Sequence, residues 1–88
     1  MRSRGTPGFW RLYRLLLPEV KAAARRAYAR FRENPAHPSL QWERLKADER
    51  AWSVRVTRDY RAVARRRADE WVWVWIGRHE EFDRLFPV

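Results

Sequence analysis

The chain has 88 residues, no cysteine and a formal net charge of +9, with 20 Lys and Arg residues against 11 Asp and Glu residues. This length accommodates one hydrophobic core, so the sequence predicts a single domain over residues 1–88. The lack of cysteine excludes disulfides and thiolate metal sites, and the longest strictly apolar run, residues 71–76, is too short to span a membrane. We therefore expect a cytoplasmic protein that makes no membrane contact.

Arginine carries almost all of the positive charge, because Lys21 and Lys46 are the only lysines. A surface of this kind favours polyanionic partners, namely nucleic acid, an anionic membrane face or an acidic protein. Arginine also makes planar bidentate contacts with phosphate and carboxylate that lysine cannot make. Part of the arginine excess matches the codon bias of a GC-rich genome, so charge alone selects no partner.

Two helices are predicted in the first part of the chain, after a flexible segment at residues 1–6. Thr6 and Pro7 supply an N-cap hydroxyl and a proline at the first helical position. Pro18 interrupts this helix and begins a second one. The second helix carries an apolar stripe made of Val20, Ala24, Ala27, Tyr28 and Phe31. The short break between the helices predicts an antiparallel helix hairpin.

From Ser39 onward the apolar residues recur at every second position, which is typical of β-strands. We predict strands at residues 39–45, 52–57, 60–65 and 71–76, joined by turns that make each neighbouring pair antiparallel. Side-chain alternation predicts that Trp71, Trp73 and Trp75 share one face of the last strand.

Residues 80–85 are predicted to form a short C-terminal helical turn. The sequence thus predicts an α+β fold, in which an N-terminal helix hairpin packs on one face of a four-stranded antiparallel β-meander.

Arginines alternate with apolar residues on two of these strands, and a histidine follows the last strand. Arg55 and Arg61 occupy neighbouring strands, and His79 stands two residues after Gly77. Guanidinium groups on one sheet face beside an imidazole predict phosphate binding with acid–base chemistry. The alternative interpretation is that Arg55 and Arg61 form a solvated sheet face and that His79 is merely an exposed turn residue.

Several segments, in the same order, resemble the RelE/ParE superfamily of bacterial toxin–antitoxin toxins. The matching segments are Phe9–Arg14 with Leu17 and Pro18, Ala27 and Tyr28 with Phe31, Asn34–Leu40, Trp52–Val56, Tyr60–Ala62 and Trp73–Asp83. The resemblance implies a RelE-like fold and a small toxin that an acidic antitoxin neutralises. Many members of this superfamily cleave mRNA in the ribosomal A site, whereas a sister branch poisons DNA gyrase.

Cleavage of RNA without a metal ion or cofactor needs a base, an acid and cations around the phosphate. The resemblance implies that His79 is the acid or base and that Arg61 and Arg55 bind the scissile phosphate. Four further residues are expected to contact RNA, with the ring of the phenylalanine stacking on a base. These residues are Arg44, Lys46, Phe82 and Arg78.

The antitoxin is expected to contact the second helix, where Arg25 and Arg26 can pair with carboxylates. Two positions depart from the pattern of the superfamily: Glu43 stands where relatives often carry a basic residue, and Phe82 replaces a frequent tyrosine. Three hypotheses therefore stay open: an endoribonuclease acting on ribosome-bound mRNA, a gyrase poison, and a non-catalytic module that still binds its antitoxin.

Overall fold

The computed structural model describes residues 2–86, and within that range three α-helices pack on one five-stranded sheet. The elements in chain order are β1 (Arg2–Gly5), α1 (Pro7–Arg14), α2 (Pro18–Glu33), a 3₁₀ turn (Pro38–Leu40), β2 (Glu43–Arg44), β3 (Ala51–Thr57), β4 (Tyr60–Arg67), β5 (Glu70–Arg78) and α3 (His79–Leu85). The strand order is β1-β5-β4-β3-β2, with β1 parallel to β5 and all other pairs antiparallel. The predicted α+β class is confirmed, and the sheet has one strand more than predicted.

The two N-terminal helices begin at the predicted residues. The hydroxyl of Thr6 accepts a hydrogen bond from the Phe9 backbone N–H at 3.1 Å, and Pro7 opens α1. Pro18 opens α2, where Glu19 lies in the first turn and complements the positive end of the helix dipole. Within the described residues, no helix combines the length and apolarity that crossing a lipid bilayer requires.

The additional strand is β1, in a segment for which the sequence predicts flexibility. Arg2–Gly5 pair in parallel with β5, and the Trp73 indole N–H donates to the Ser3 hydroxyl at 2.9 Å. Arg4 also forms an ion pair with Glu70 at 3.0 Å. The flexible segment is therefore a wrong prediction for residues 2–5, while Met1 lies outside the described residues. Four residues of mixed polarity give no periodic signal, so only their long-range pairing identifies the strand.

The first predicted strand is much shorter than expected. Leu40 belongs to the 3₁₀ turn and is 1% exposed, and Gln41 adopts a left-handed backbone conformation with φ of 45°. Only Glu43–Arg44 pair with β3. The alternating pattern around Trp42 therefore reflects packing, since its ring stacks on Trp52 with centroids 5.7 Å apart.

A bulge in β5 reverses the direction of its side chains. Val63 pairs with Trp75 while the next residue, Ala64, pairs with Trp73, so Val74 is an extra residue in β5. Trp73 consequently packs beside Phe31 under the helices, whereas Trp75 points to the other side of the sheet. The prediction that all three tryptophans of this strand share one face is wrong for Trp75.

The sheet is therefore covered on both sides. The helix face, on which α1 and α2 lie, carries the larger core, with Phe31 at 0% exposure, Val54 at 2% and Ala62 at 4%. The second face carries a smaller core in which Val63, Trp75 and Phe82 pack together under α3. Arg55 of β3 and Arg61 of β4 also lie on this second face.

Candidate functional site

Two arginines lie directly opposite each other on the second face. Arg55 of β3 is the register partner of Arg61 of β4, and Arg61 is in turn the partner of Gly77 of β5. Cross-strand partners point to the same side of a sheet, so the two guanidinium groups share one surface. The predicted proximity of these two arginines is therefore present in the structure.

The backbone of the β3–β4 turn holds the Arg61 side chain in place. Its Nη1 donates to the carbonyl oxygens of Thr57 at 2.8 Å and of Tyr60 at 3.1 Å. Burial and the neighbouring charge of Arg55 lower the pKa of Arg61 from its ordinary value, while Asp83 and Asp59 act in the opposite direction. An arginine remains protonated at physiological pH even so, which makes this group a partly desolvated, fixed cation.

His79 is anchored to the same turn through its backbone. It is the first residue of α3, and its N–H donates to the Asp59 carbonyl oxygen at 2.7 Å. Its imidazole Nδ1 lies 3.1 Å from a carboxylate oxygen of Asp83, and 41% of the side chain is exposed. The same β3–β4 turn holds the Arg61 guanidinium, and the imidazole lies 6.2 Å from the ring of Phe82 in the core of the second face, so the two groups lie at the same end of that face.

Phe82 does not present its ring to solvent. It is 6% exposed, and its ring centroid lies 6.2 Å from that of Trp75 and 5.5 Å from that of Phe86. The expected stacking of Phe82 on an RNA base is contradicted by this burial. The sequence prediction placed the helix hairpin on one face of the sheet and assigned no position to the C-terminal helical turn, so it did not include this burial.

The other predicted RNA contacts are separated from the arginine pair. Arg44 is the register partner of Trp52, which packs under the helices. The side chain of Arg44 therefore projects from the helix face of the sheet. Arg78 also starts from the helix face, and its guanidinium lies 5.8 Å from the Tyr60 ring centroid. Lys46 is exposed in the loop after β2. The structure thus gathers Arg55, Arg61 and His79 but not this second group.

Residues 18–84 match the family model of the ParE-like toxin domain. The chain belongs to the ParE-like toxin family. It is accordingly the toxin of a toxin–antitoxin system, as the resemblance to the RelE/ParE superfamily predicts. No curated protein matches this toxin by sequence.

Solved structures of toxins share the fold of this toxin. A YoeB/ParE toxin from Agrobacterium tumefaciens is 20% identical, with a TM-score of 0.73 over 90% of this chain and 99% of that one. The RelB–RelE antitoxin–toxin complex from Methanococcus jannaschii gives 10% identity and a TM-score of 0.75 over 94% and 98% of the two chains. The toxin–antitoxin complex RelBE2 from Mycobacterium tuberculosis gives 20% identity and a TM-score of 0.70 over 89% of this chain and 96% of that one. The predicted RelE-like fold is confirmed.

The ParE-like toxin also has an apolar groove on the helix face. The groove has a volume of about 520 Å³ and lies between α1 and α2. The two helices leave this space because α1 packs mainly on β5 whereas α2 packs mainly on β3. Its aromatic lining consists of Phe9, Trp10, Tyr13, Tyr28 and Trp73, and its cationic lining consists of Arg4, Arg25 and Arg32. Arg25 donates to the Tyr13 hydroxyl at 3.0 Å, whereas Arg26 is exposed on α2 and is not part of the lining.

Asp83 is the residue of the site that sequence reasoning missed. It lies four residues after His79, a spacing that brings two side chains together on one side of a helix. The predicted helical turn at residues 80–85 begins one residue after His79, so the prediction did not place the two side chains on one helix; extending it by one residue would have done so. The short C-terminal helix therefore contributes two polar side chains to the site, those of His79 and Asp83.

Proposed function

We propose that this toxin is a ribosome-dependent endoribonuclease that cleaves mRNA by metal-free acid–base chemistry. The observation that supports it most is the partly exposed His79 imidazole at the same end of the second face as the Arg55–Arg61 pair. Cleavage of a phosphodiester uses a titratable group to transfer protons and fixed cations to stabilise the charge that develops on the phosphate.

The proposed reaction is an internal transesterification of RNA. The 2′-oxygen of one nucleotide attacks the adjacent phosphorus, and the bond from phosphorus to the 5′-oxygen of the next nucleotide breaks. The products are a 2′,3′-cyclic phosphate and a free 5′-hydroxyl. His79 either accepts the 2′-hydroxyl proton or, as imidazolium, donates a proton to the leaving 5′-oxygen, and solvent water takes the complementary role, so that one proton leaves the 2′-oxygen and one reaches the 5′-oxygen.

The arginine pair supports this proposal through its electrostatics. Like charges directly opposite each other on paired strands destabilise a sheet. A phosphate bound between Arg55 and Arg61 removes that repulsion, and the additional negative charge of the transition state removes more of it. Backbone carbonyls already hold the Arg61 guanidinium in place, so RNA binding does not have to order this side chain.

We also propose that the helix-face groove binds an acidic antitoxin. An amphipathic helix can bury its apolar side against the aromatic lining while its carboxylates pair with Arg4, Arg25 and Arg32. The similar structures from M. jannaschii and M. tuberculosis are toxin–antitoxin complexes, which supports a protein partner of this kind. The antitoxin contact predicted for Arg26 stays a prediction, because this residue lies outside the groove.

A purified translation system tests the nuclease proposal. The wild-type toxin is expected to produce discrete mRNA breaks, mapped by primer extension, only when ribosomes are present. The His79→Ala variant is expected to lose this cleavage, while His37→Ala, which alters the other histidine, is expected to keep it. Intact mRNA together with inhibited DNA supercoiling by gyrase would instead identify a gyrase poison and reject the nuclease proposal.

A further inference from the structure

We propose that Asp83 is a positioning residue, which holds His79 in the ring orientation and tautomer that proton transfer needs. This inference rests on the proposed nuclease function and names a residue whose part in it was not expected from the sequence. The Nδ1 atom of His79 lies 3.1 Å from a carboxylate oxygen of Asp83, a distance at which the carboxylate can accept a hydrogen bond from a proton-bearing Nδ1. The other ring nitrogen, Nε2, is then the atom that exchanges a proton with RNA.

The helix that carries both residues is fixed to the sheet, so the pair is held as a unit. Phe82 lies between them in sequence, is 6% exposed and packs on Trp75 of β5. Its ring also meets the His79 imidazole edge to face, with centroids 6.2 Å apart. Together with the bond from the His79 N–H to Asp59, these contacts limit the motion of the imidazole.

The two histidines of the chain are expected to be opposite tautomers. The Nδ1 atom of His37 accepts a hydrogen bond from the Ser39 backbone N–H at 3.2 Å, which requires the proton on Nε2. The Nδ1 atom of His79 lies 3.1 Å from a carboxylate, which accepts hydrogen bonds only, so we assign the proton of the neutral ring to Nδ1. His37 therefore serves as an internal reference for the tautomer that we assign to His79.

The charge of Asp83 opposes RNA binding. A positioning role and a purely electrostatic role of Asp83 therefore predict different kinetics when this residue is removed. Its carboxylate opposes the cationic field of Arg61 at the surface where a phosphate would bind. Removing a negative charge from this surface favours RNA binding and lowers KM. Removing the hydrogen-bond acceptor of His79 impairs the chemical step and lowers kcat. A purely electrostatic role gives only the first effect.

Kinetics of Asp83→Ala, Asp83→Glu and Glu80→Ala test the proposal. We expect Asp83→Ala to reduce kcat by up to about 10²–10⁴-fold, the usual contribution of a positioned acid or base, without raising KM, and Asp83→Glu to restore much of kcat because a longer carboxylate still reaches the ring. Glu80→Ala removes the same charge from the same helix and is expected to retain kcat, since Glu80 pairs with Arg78 instead, at 3.7 Å. An unchanged kcat in Asp83→Ala would overturn the proposal.

Nitrogen NMR of the histidine-labelled toxin provides a readout that does not depend on RNA. In mildly alkaline buffer, where imidazole is neutral, wild-type His79 is expected to carry its proton on Nδ1 and His37 on Nε2. Asp83→Ala is expected to release His79 to a mixture of tautomers and to leave His37 unchanged. A wild-type His79 protonated on Nε2 overturns the proposal. If the wild type instead fails to cleave mRNA, the nuclease function and the catalytic role of Asp83 fail together, and the NMR signals still decide whether Asp83 orders the imidazole.

Discussion

Arg55 and Arg61 face each other across two antiparallel strands, with no carboxylate as the register partner of either. Their repulsion is a cost that the free toxin carries and that a bound anion removes. A different pair in the same sheet, Arg67 opposite Glu70, joins unlike charges. The loss of an arginine is therefore expected to stabilise the first pair and not to stabilise the second.

We expect Arg55→Gln to raise the free energy of unfolding by about 0.2–1 kcal/mol, because it removes a like-charge cross-strand contact. Arg67→Gln is the matched control and is expected to leave the stability unchanged or to lower it. Urea denaturation of both variants at low ionic strength measures the effect. A fall in the stability of Arg55→Gln would contradict the repulsion between the two guanidinium groups.

Phosphate is expected to stabilise the wild-type toxin more than the Arg55→Gln variant. A ligand that binds only the folded state raises its stability by RT ln(1 + [L]/Kd), and Arg55→Gln removes half of the cation pair. The measurement is the change in Tm with added inorganic phosphate, with chloride at equal ionic strength as the control. Equal shifts in the two proteins would show that phosphate binds elsewhere.

Phe82→Ala is expected to destabilise the toxin by about 3–5 kcal/mol, because it leaves a cavity in the smaller core. Leu85→Ala is the control on the same helix, and its effect is expected to be small since Leu85 is 54% exposed. Thermal unfolding of the two variants distinguishes them. A stable Phe82→Ala variant that merely lost RNA binding would restore the base-stacking role that the structure contradicts.

Gly5 and Gly8 are expected to respond oppositely to alanine. A Cβ atom on Gly5 would lie 2.7 Å from the indole nitrogen of Trp10 and 2.8 Å from the Phe9 ring, so Gly5→Ala is expected to lower the unfolding free energy. A Cβ atom on Gly8 would lie no closer than 3.7 Å to its neighbours, so Gly8→Ala is expected to stabilise α1 by about 0.5–1 kcal/mol. Chemical denaturation of both variants tests the close approach of β1 to α1, which a stable Gly5→Ala variant would contradict.

Charge reversal on α2 is expected to separate groove residues from other surface arginines. Arg25→Glu places a carboxylate in the groove and is expected to weaken binding of the acidic antitoxin by about 10-fold or more, which is 1.4 kcal/mol. Arg26→Glu makes the same change at the next residue, outside the groove, and is expected to have a smaller effect. Calorimetric titration with the antitoxin measures both affinities. Equal losses would place the antitoxin on the exposed side of α2.

Local signals in the sequence account for most of the elements. Thr6 with Pro7 and then Pro18 locate the starts of both long helices, because capping and proline geometry depend only on neighbouring residues. The turn at residues 58–59 and the pairing of β3 with β4 follow from alternation and short connection length. That pairing in turn predicts that Arg55 and Arg61 share a surface.

The remaining features depend on contacts between distant parts of the chain. The extra residue at Val74 reverses the alternation, so which face Trp75 occupies depends on how β5 pairs with β4 and not on its own pattern. Arg2–Gly5 become a strand only because β5 offers them a free edge. Sequence alone thus determined the helices, the antiparallel hairpins and the arginine pair. Only the tertiary structure decided that α3 covers the second face, which buries Phe82 and places the His79–Asp83 pair at the turn that holds Arg61, because that outcome depends on long-range packing that local periodicity does not encode.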